Sequence, residues 1–476
     1  MLESPVALAM IGVILALFIW VGVRARKMGA DLEDYLQARN SQGAGVLGLS
    51  FLASGMGAWI LFAPPEVGTG IGLVAVVGYA LGAAGPYVAF SLLGRRIRDV
   101  VPRGHSITEF VRLRYGRVFF TYVGIISIGY MFIFMAAELT AVGGVTAILS
   151  GLDARIAVVA VAVATLAYTA YGGLRATLQT DRWQAWLLVS LLAVAFGAVV
   201  IDVPDAGSAF ADSGLLGIDR LGVEVALTLV IAVVAANMFH QGYWQRVWAA
   251  RDIPSLHRGA AIGAGMAVPV ILIVGALGII AAGAGLEVGD PPIPFFALMA
   301  SLPDWVVGLV LMLGVSLVAS SVDTLENALG SIVVAERPSF SLRGAQAVTV
   351  LLVVPAAFIA FQGYSVLRLF LIADLLCAAT VGPVLMGLWS RATGSAAIAG
   401  SAAGLIGAIV PGWVETGSVR DGVELATFPN AVPTLAPFFW SLVTASLVTF
   451  VVSLAARRET DLGALGTGID PVAERL

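Results

Sequence analysis

VSLVASSVDTLENALGS, from Val315 to Ser331, sets Ser320, Ser321, Asp323, Thr324, Glu326 and Asn327 in one short cluster with strongly apolar sequence on both sides. Hydroxyls and carboxylates at that depth need protein, water or an ion as partners, because lipid offers no hydrogen bonds. A bound cation is one way to satisfy them.

The rest of the chain supplies the membrane setting. Of 476 residues, 59% are hydrophobic and 12% charged, with a mean hydropathy of +0.97. A soluble chain carries about 25% charged residues. Helical spans need roughly 20 apolar residues each, and about thirteen segments qualify: near 5–23, 45–70, 72–93, 118–150, 155–172, 183–201, 222–243, 259–284, 305–334, 346–361, 366–389, 395–412 and 434–455. The longest gap, Asp202 to Arg220, is too short to bury a core of its own. A single all-α transmembrane unit over 1–476 is therefore expected.

Charge sorts along this span order, since cytoplasmic loops collect Lys and Arg. With the N-terminus outside, Arg24, Arg26, Lys27, Arg95, Arg96, Arg98, Arg112, Arg114, Arg251, Arg258, Arg457 and Arg458 fall on the cytoplasmic side. Of the 26 basic residues, only Arg155, Arg220, Arg368 and Arg420 fall outside. An even number of spans scrambles this sorting, so thirteen spans in a cell membrane, N-terminus out and C-terminus in, is the expected topology. The first apolar run lacks a small-residue cleavage site and reads as a retained helix.

Other chemistries leave no signature. One cysteine, Cys377, permits neither an intrachain disulfide nor a thiolate metal cluster. His105, His240 and His257 are scattered, and neither a phosphate-binding Gly loop nor a nucleophile elbow is present. Neither an enzyme nor a nucleic-acid-binding protein is expected. A sensor built on a transporter would be expected to carry a signalling domain after the last helix, where this chain has only a short tail over 457–476.

A second stretch bears on the first. ASGMGAWILFAPPEVGTG, Ala53 to Gly70, loosens the backbone at Gly55 and Gly57 and removes helix donors at Pro64 and Pro65. Interrupted membrane helices free carbonyls and half-helix ends for ions and polar solutes. A glycine-packed helix that kinks into a loop produces the same pattern. Likewise, Ser320 and Ser321 have a local option, back-bonding to carbonyls four residues earlier.

Five segments, taken in order, resemble the sodium/solute symporters, in particular their sodium/proline branch. These are ASGMGAWILFAPP, RGHSITEFVRLRYG (Arg103 to Gly116), AYTAYGGLRATLQTDRWQ (Ala167 to Gln184), HQGYWQRVWAARD (His240 to Asp252) and SSVDT (Ser320 to Thr324). The resemblance implies a leucine-transporter fold. Its two inverted five-helix repeats would cover 45–201 and 222–389, with a peripheral first helix in 1–27, two peripheral helices in 395–456 and the tail. It also implies a sodium ion, the coupling ion and sole cofactor, held by the carbonyls of Ala53, Met56 and Leu317 and the hydroxyls of Ser320 and Ser321. Asp181 would sit on the ion's inner release path.

The chain departs from that branch at Gly55, where an acidic residue is usual, and at Phe134, where a tyrosine is. Candidate solute-binding residues are Trp59, Phe134, Glu138, Asn237 and Gln241. Glu138 lies one turn beyond Phe134 on the same helix face, and a charged carboxylate in mid-bilayer costs at least about 2.5 kcal/mol. It contacts a solute amine, carries a proton, or serves a neighbouring helix. Glu66 is placed at the outer mouth, and Asp374 either closes an outer gate or caps a helix interior.

The expected function is sodium-coupled import of a small organic solute by alternating access, through a protein that works as a monomer in the bilayer. An amino acid or similar zwitterion leads, with urea or a monocarboxylate behind it. A proton-coupled symporter of the same fold is the alternative.

Overall fold

Glycine and proline decide where the long apolar runs divide. The structure, a computed structural model, describes residues 2–25, 36–336, 342–428, 430, 432–456 and 458–468. Arg26, Lys27 and Arg457 of the charge sorting, and the tail from 469 onward, lie outside the described residues. The principal helices are α1 (Ser4–Ala25), α2 (Ala44–Gly55), α3 (Ala63–Gly70), α4 (Leu73–Ala89), α5 (Ile107–Tyr115), α6 (Arg117–Ser150), α7 (Ala154–Asp202) and α8 (Arg220–Asn237). They continue with α9 (Gln241–Ala249), α10 (Ile253–Gly283), α11 (Asp304–Glu336), α12 (Leu342–Ala360), α13 (Val366–Leu385), α14 (Gly394–Thr416) and α15 (Leu435–Ala456). Among the described residues, extended backbone pairs only in an isolated bridge between Gln42 and Ala250.

Among the described residues, ten helices are long and apolar enough to cross a membrane, and the pair α2/α3, bent by 58°, makes an eleventh span. The chain is thus a multi-pass membrane protein. Helix α7 has 49 residues, roughly 74 Å at 1.5 Å per residue, against a hydrocarbon core of about 30 Å. Gly173, at φ 58° and ψ −153°, breaks it into two runs, since only glycine enters that backbone region without strain. Together with α12, whose stretch Val350–Ala360 is a shorter apolar helix, these segments fall where hydropathy placed thirteen.

The seventh differs from its expected bounds of 222–243. Helix α8 stops at Asn237, and the chain tightens through Phe239 N–H to Ala236 O (2.9 Å) and His240 N–H to Asn237 O (3.1 Å). It resumes as α9 up to Ala249, so this span is broken as the second one is.

Helix α11 runs through the centre: 83% of its apolar window is buried, against 33% for α1 and 28% for α15. Small residues bring the outer helices together, as is usual where lipid gives no hydrophobic drive between helices. A Cβ on Gly404 of α14 would lie 2.8 Å from Ala445 Cβ on α15. On the face where the basic residues gather, Arg114 of α5 clamps the turn after α13. Its Nε donates to Gly387 O at 2.9 Å, and its Nη2 to Trp389 O at 2.9 Å and Ala392 O at 2.7 Å.

Candidate functional site

Helix α2 ends at Gly55, and the chain passes through Met56 and Gly57 into a 3-10 turn, Ala58–Leu61, before α3. The last carbonyls of a helix lack i+4 donors. Here Leu52 O still takes the Met56 N–H, four residues on, at 2.9 Å, whereas Gly55 O takes the Trp59 indole N–H at 3.1 Å in place of a backbone donor. The carbonyls of Ala53 and Met56 belong to this same frayed end. On its other side, Ala58 N–H donates to Glu138 Oε2 at 2.8 Å. A Cβ on Gly57 would fall inside that carboxylate, so glycine is what lets α6 approach the break.

Helix α11 packs against this break. Ser320 donates to Asp181 Oδ1 at 2.9 Å, and the buried Ser321 hydroxyl has no hydrogen-bond partner. Neither bonds back to its own helix, whereas Ser316 does, to Met312 O at 2.7 Å. Ala53, Met56 and Leu317 are each 2% exposed. A neutral, oxygen-only donor set with one buried hydroxyl left unpartnered suits a hard monovalent cation. Among the described residues no cluster of His, Cys, Asp or Glu is arranged to hold a metal ion.

Asp181 and Arg246 were legible as parts of motifs, but their partnership was not. Arg246 Nη2 meets Asp181 Oδ2 at 2.7 Å with both side chains wholly buried. Arg246 also donates to Ser50 Oγ at 2.8 Å, to Ser54 Oγ and to Gly242 O at 2.7 Å. Ser50 in turn donates to Asp181 Oδ2 at 2.6 Å, and the Ser54 and Thr324 hydroxyls lie 3.1 Å apart. One guanidinium thus joins α2, the second run of α7, α9 and α11 beside the serine pair. The only sequence signal for it was a single arginine between Trp244 and Trp248 in an otherwise uncharged run.

The remaining carboxylates of the opening stretch are met by hydroxyls. Asp323 Oδ2 accepts from Tyr168 at 2.5 Å and Thr180 at 3.2 Å, and Glu326 Oε1 accepts from Thr165 at 2.9 Å.

A cavity opens at the break in α2/α3. Trp59, Phe134 and Asn237 line it, together with Tyr79, Phe370 and Asp374. Trp59 stacks on Tyr79 with centroids 5.5 Å apart, and Phe370 lies edge-on to Phe134 at 4.9 Å. Asn237 donates to its own helix at Val233 O, 2.7 Å, which leaves its carbonyl end available. The other two candidates point elsewhere. Glu138 serves the backbone of the break, and Gln241 Nε2 donates to His105 O at 2.5 Å. Glu66 does not line this cavity; it lies on the wall of two further hollows that it shares with Asp290 and Tyr364.

No family model matches the chain. It is 30% identical over 437 residues, 89% of its own length and 84% of the relative's, to the spermidine transporter DUR31 of Candida albicans. It is 24% identical over 280 residues, 56% of its length and 57% of the relative's, to the high-affinity proline transporter PutP of Bacillus subtilis. Among solved structures, a Na+-coupled sialic acid symporter in a substrate-bound outward-open state matches with a TM-score of 0.75 at 15% identity, over 96% of this chain and 99% of that one. At that identity the likeness is one of fold.

Proposed function

Because the chain belongs to the sodium/solute symporter superfamily, whose leucine-transporter fold carries secondary active transport of a small solute with sodium as the coupling ion, we propose where this chain holds the two and how it moves them. The ion sits between the carbonyls of Ala53, Met56 and Leu317 and the hydroxyls of Ser320 and Ser321. The observation that carries this reading is the buried, unpartnered Ser321 hydroxyl on the helix that packs against the broken one. Asp181 lies beside the ion, where Arg246 restrains it, and marks the path by which sodium leaves.

The solute occupies the cavity walled by Trp59, Phe134 and Asn237. DUR31 is a spermidine transporter and PutP a proline transporter. Both molecules carry a protonated amine, and that group is the one carried over to this chain. The two broken spans each open a run of five, which supports inverted repeats over 45–201 and 222–389, with a monomer as the working unit. The charge sorting supports an N-terminus outside and import as the direction. One charge moving through 100 mV releases about 2.3 kcal/mol, and a tenfold sodium gradient about 1.4 kcal/mol, enough for several-hundred-fold accumulation at one-to-one coupling.

The test is uptake into proteoliposomes of amines, amino acids, urea and monocarboxylates, with sodium and pH gradients imposed separately. Accumulation driven by sodium alone is the expected result. Accumulation driven only by a pH gradient would establish the proton-coupled alternative in its place.

A further inference from the structure

The positive end of a half-helix beside a transport cavity is where a solute's carboxylate is ordinarily received. In this chain that end is taken: Glu138 Oε2 accepts the Ala58 N–H at 2.8 Å, and the absent Cβ of Gly57 makes room for it. Among the described residues, no arginine, lysine or histidine lines the cavity to receive a carboxylate instead. An amino acid would bring a negative group that no cationic side chain of the lining meets.

The groups that are prepared suit a cation. Asp374 of α13 lines the cavity at 6% exposure, and its buried Oδ1 has no hydrogen-bond partner. An isolated carboxylate in that setting is costly unless a cationic ligand or a proton neutralises it. Around it stand the rings of Trp59, Tyr79, Phe134 and Phe370, whose faces attract ammonium groups and whose surfaces pack against methylenes. Tyr79 is within electrostatic reach of both Asp374, in the cavity, and Glu66, on the wall of a separate hollow. Glu66 is half-buried, and the nearby Arg368 turns its Nε to Thr427 O at 3.1 Å.

We propose that the solute is a linear di- or polyamine without a carboxylate, one ammonium held by Asp374, its methylene chain lying along Trp59 and Tyr79, and a second ammonium held by Glu66. This rests on the symporter reading above and deepens it by naming the solute class of that same cavity. Glu138 stands in for the carboxylate the solute lacks.

The test is calorimetric titration of the purified full-length protein, in sodium, with 1,4-diaminobutane, spermidine, n-butylamine and proline. The diamine and spermidine should bind more tightly than butylamine, and proline should not bind. Asp374→Asn should raise the Kd of all three amines at least about tenfold, the scale of one lost charge-assisted hydrogen bond, with Asp374→Glu restoring part of it. Glu66→Gln should bring the diamine to the level of butylamine. Each variant's thermal stabilisation by sodium shows that it is folded. Tight proline binding without diamine binding overturns the proposal, as does an Asp374→Asn protein that still binds the diamine as the wild type does. Either result with sodium stabilisation intact leaves the symporter reading standing. Amine binding without any effect of sodium on the wild type would support the solute class and overturn the sodium site.

Discussion

Arg246 Nη2 stands 2.7 Å from Asp181 Oδ2, and neither side chain reaches solvent. Breaking one half of a buried pair leaves an uncompensated charge and costs about 3–5 kcal/mol. Arg246→Ala should therefore lower the unfolding temperature sharply. Arg246→Lys should rescue only part of the loss, because one ammonium cannot reach Asp181, Ser50, Ser54 and Gly242 O together. Replacing both partners, as Arg246→Met with Asp181→Leu, should be milder for stability than Arg246→Ala alone while still abolishing coupled uptake. An Arg246→Ala protein as stable as the wild type would show that the pair is not formed.

The serine pair separates coupling from folding. Ser320→Ala and Ser321→Ala each remove one proposed ligand, so the half-saturating sodium concentration of uptake should rise about tenfold, for a loss of roughly 1–1.5 kcal/mol. Ser321 is the cleaner probe, since Ser320 also donates to Asp181. Unchanged sodium activation in both variants would remove the assigned site.

Glu138 holds the break in α2/α3 open. Glu138→Ala strands the Ala58 N–H and should cost about 1–3 kcal/mol, whereas Glu138→Gln keeps an acceptor oxygen and should lose less. Gly57→Ala should be as damaging as Glu138→Ala, because its methyl group collides with the carboxylate. The double variant Gly57→Ala with Glu138→Ala should lose less than the sum of the two. Thermal unfolding of the four proteins checks this, and strict additivity would place Glu138 elsewhere.

Orientation is open to labelling in a Cys377→Ser background. Ser208→Cys, exposed between α7 and α8, should react with an impermeant thiol reagent from outside the cell, and Arg251→Cys, exposed between α9 and α10, only after permeabilisation. The reverse pattern would invert the topology and the direction of transport.

Spans were legible because bilayer thickness and hydropathy fix them, and the Gly173 kink lies within a Gly-Gly pair that the motifs already marked. The break in α8/α9 was not. Met238 to His240 contains neither glycine nor proline, and the interruption comes from i to i−3 bonding and from what packs around it. Ser320, Ser321 and Asp181 stood out as polar groups in apolar surroundings. Nothing in one dimension brings Arg246 to Asp181 across 65 positions. Glu138 was singled out as too costly to be idle; its partner is a backbone N–H, and a bare N–H carries no signature in sequence. Asp374 was ambiguous for the complementary reason: its significance is the lack of a partner, which only the packed helices reveal.

The sodium site between the α2/α3 break and α11 is tested most directly by equilibrium binding of radiolabelled sodium to the purified protein. The expected result is saturable binding that unlabelled sodium displaces and potassium does not, lost in the Ser320→Ala/Ser321→Ala double variant while that protein stays folded. Binding of equal strength in the double variant, or no preference for sodium over potassium in the wild type, would contradict it.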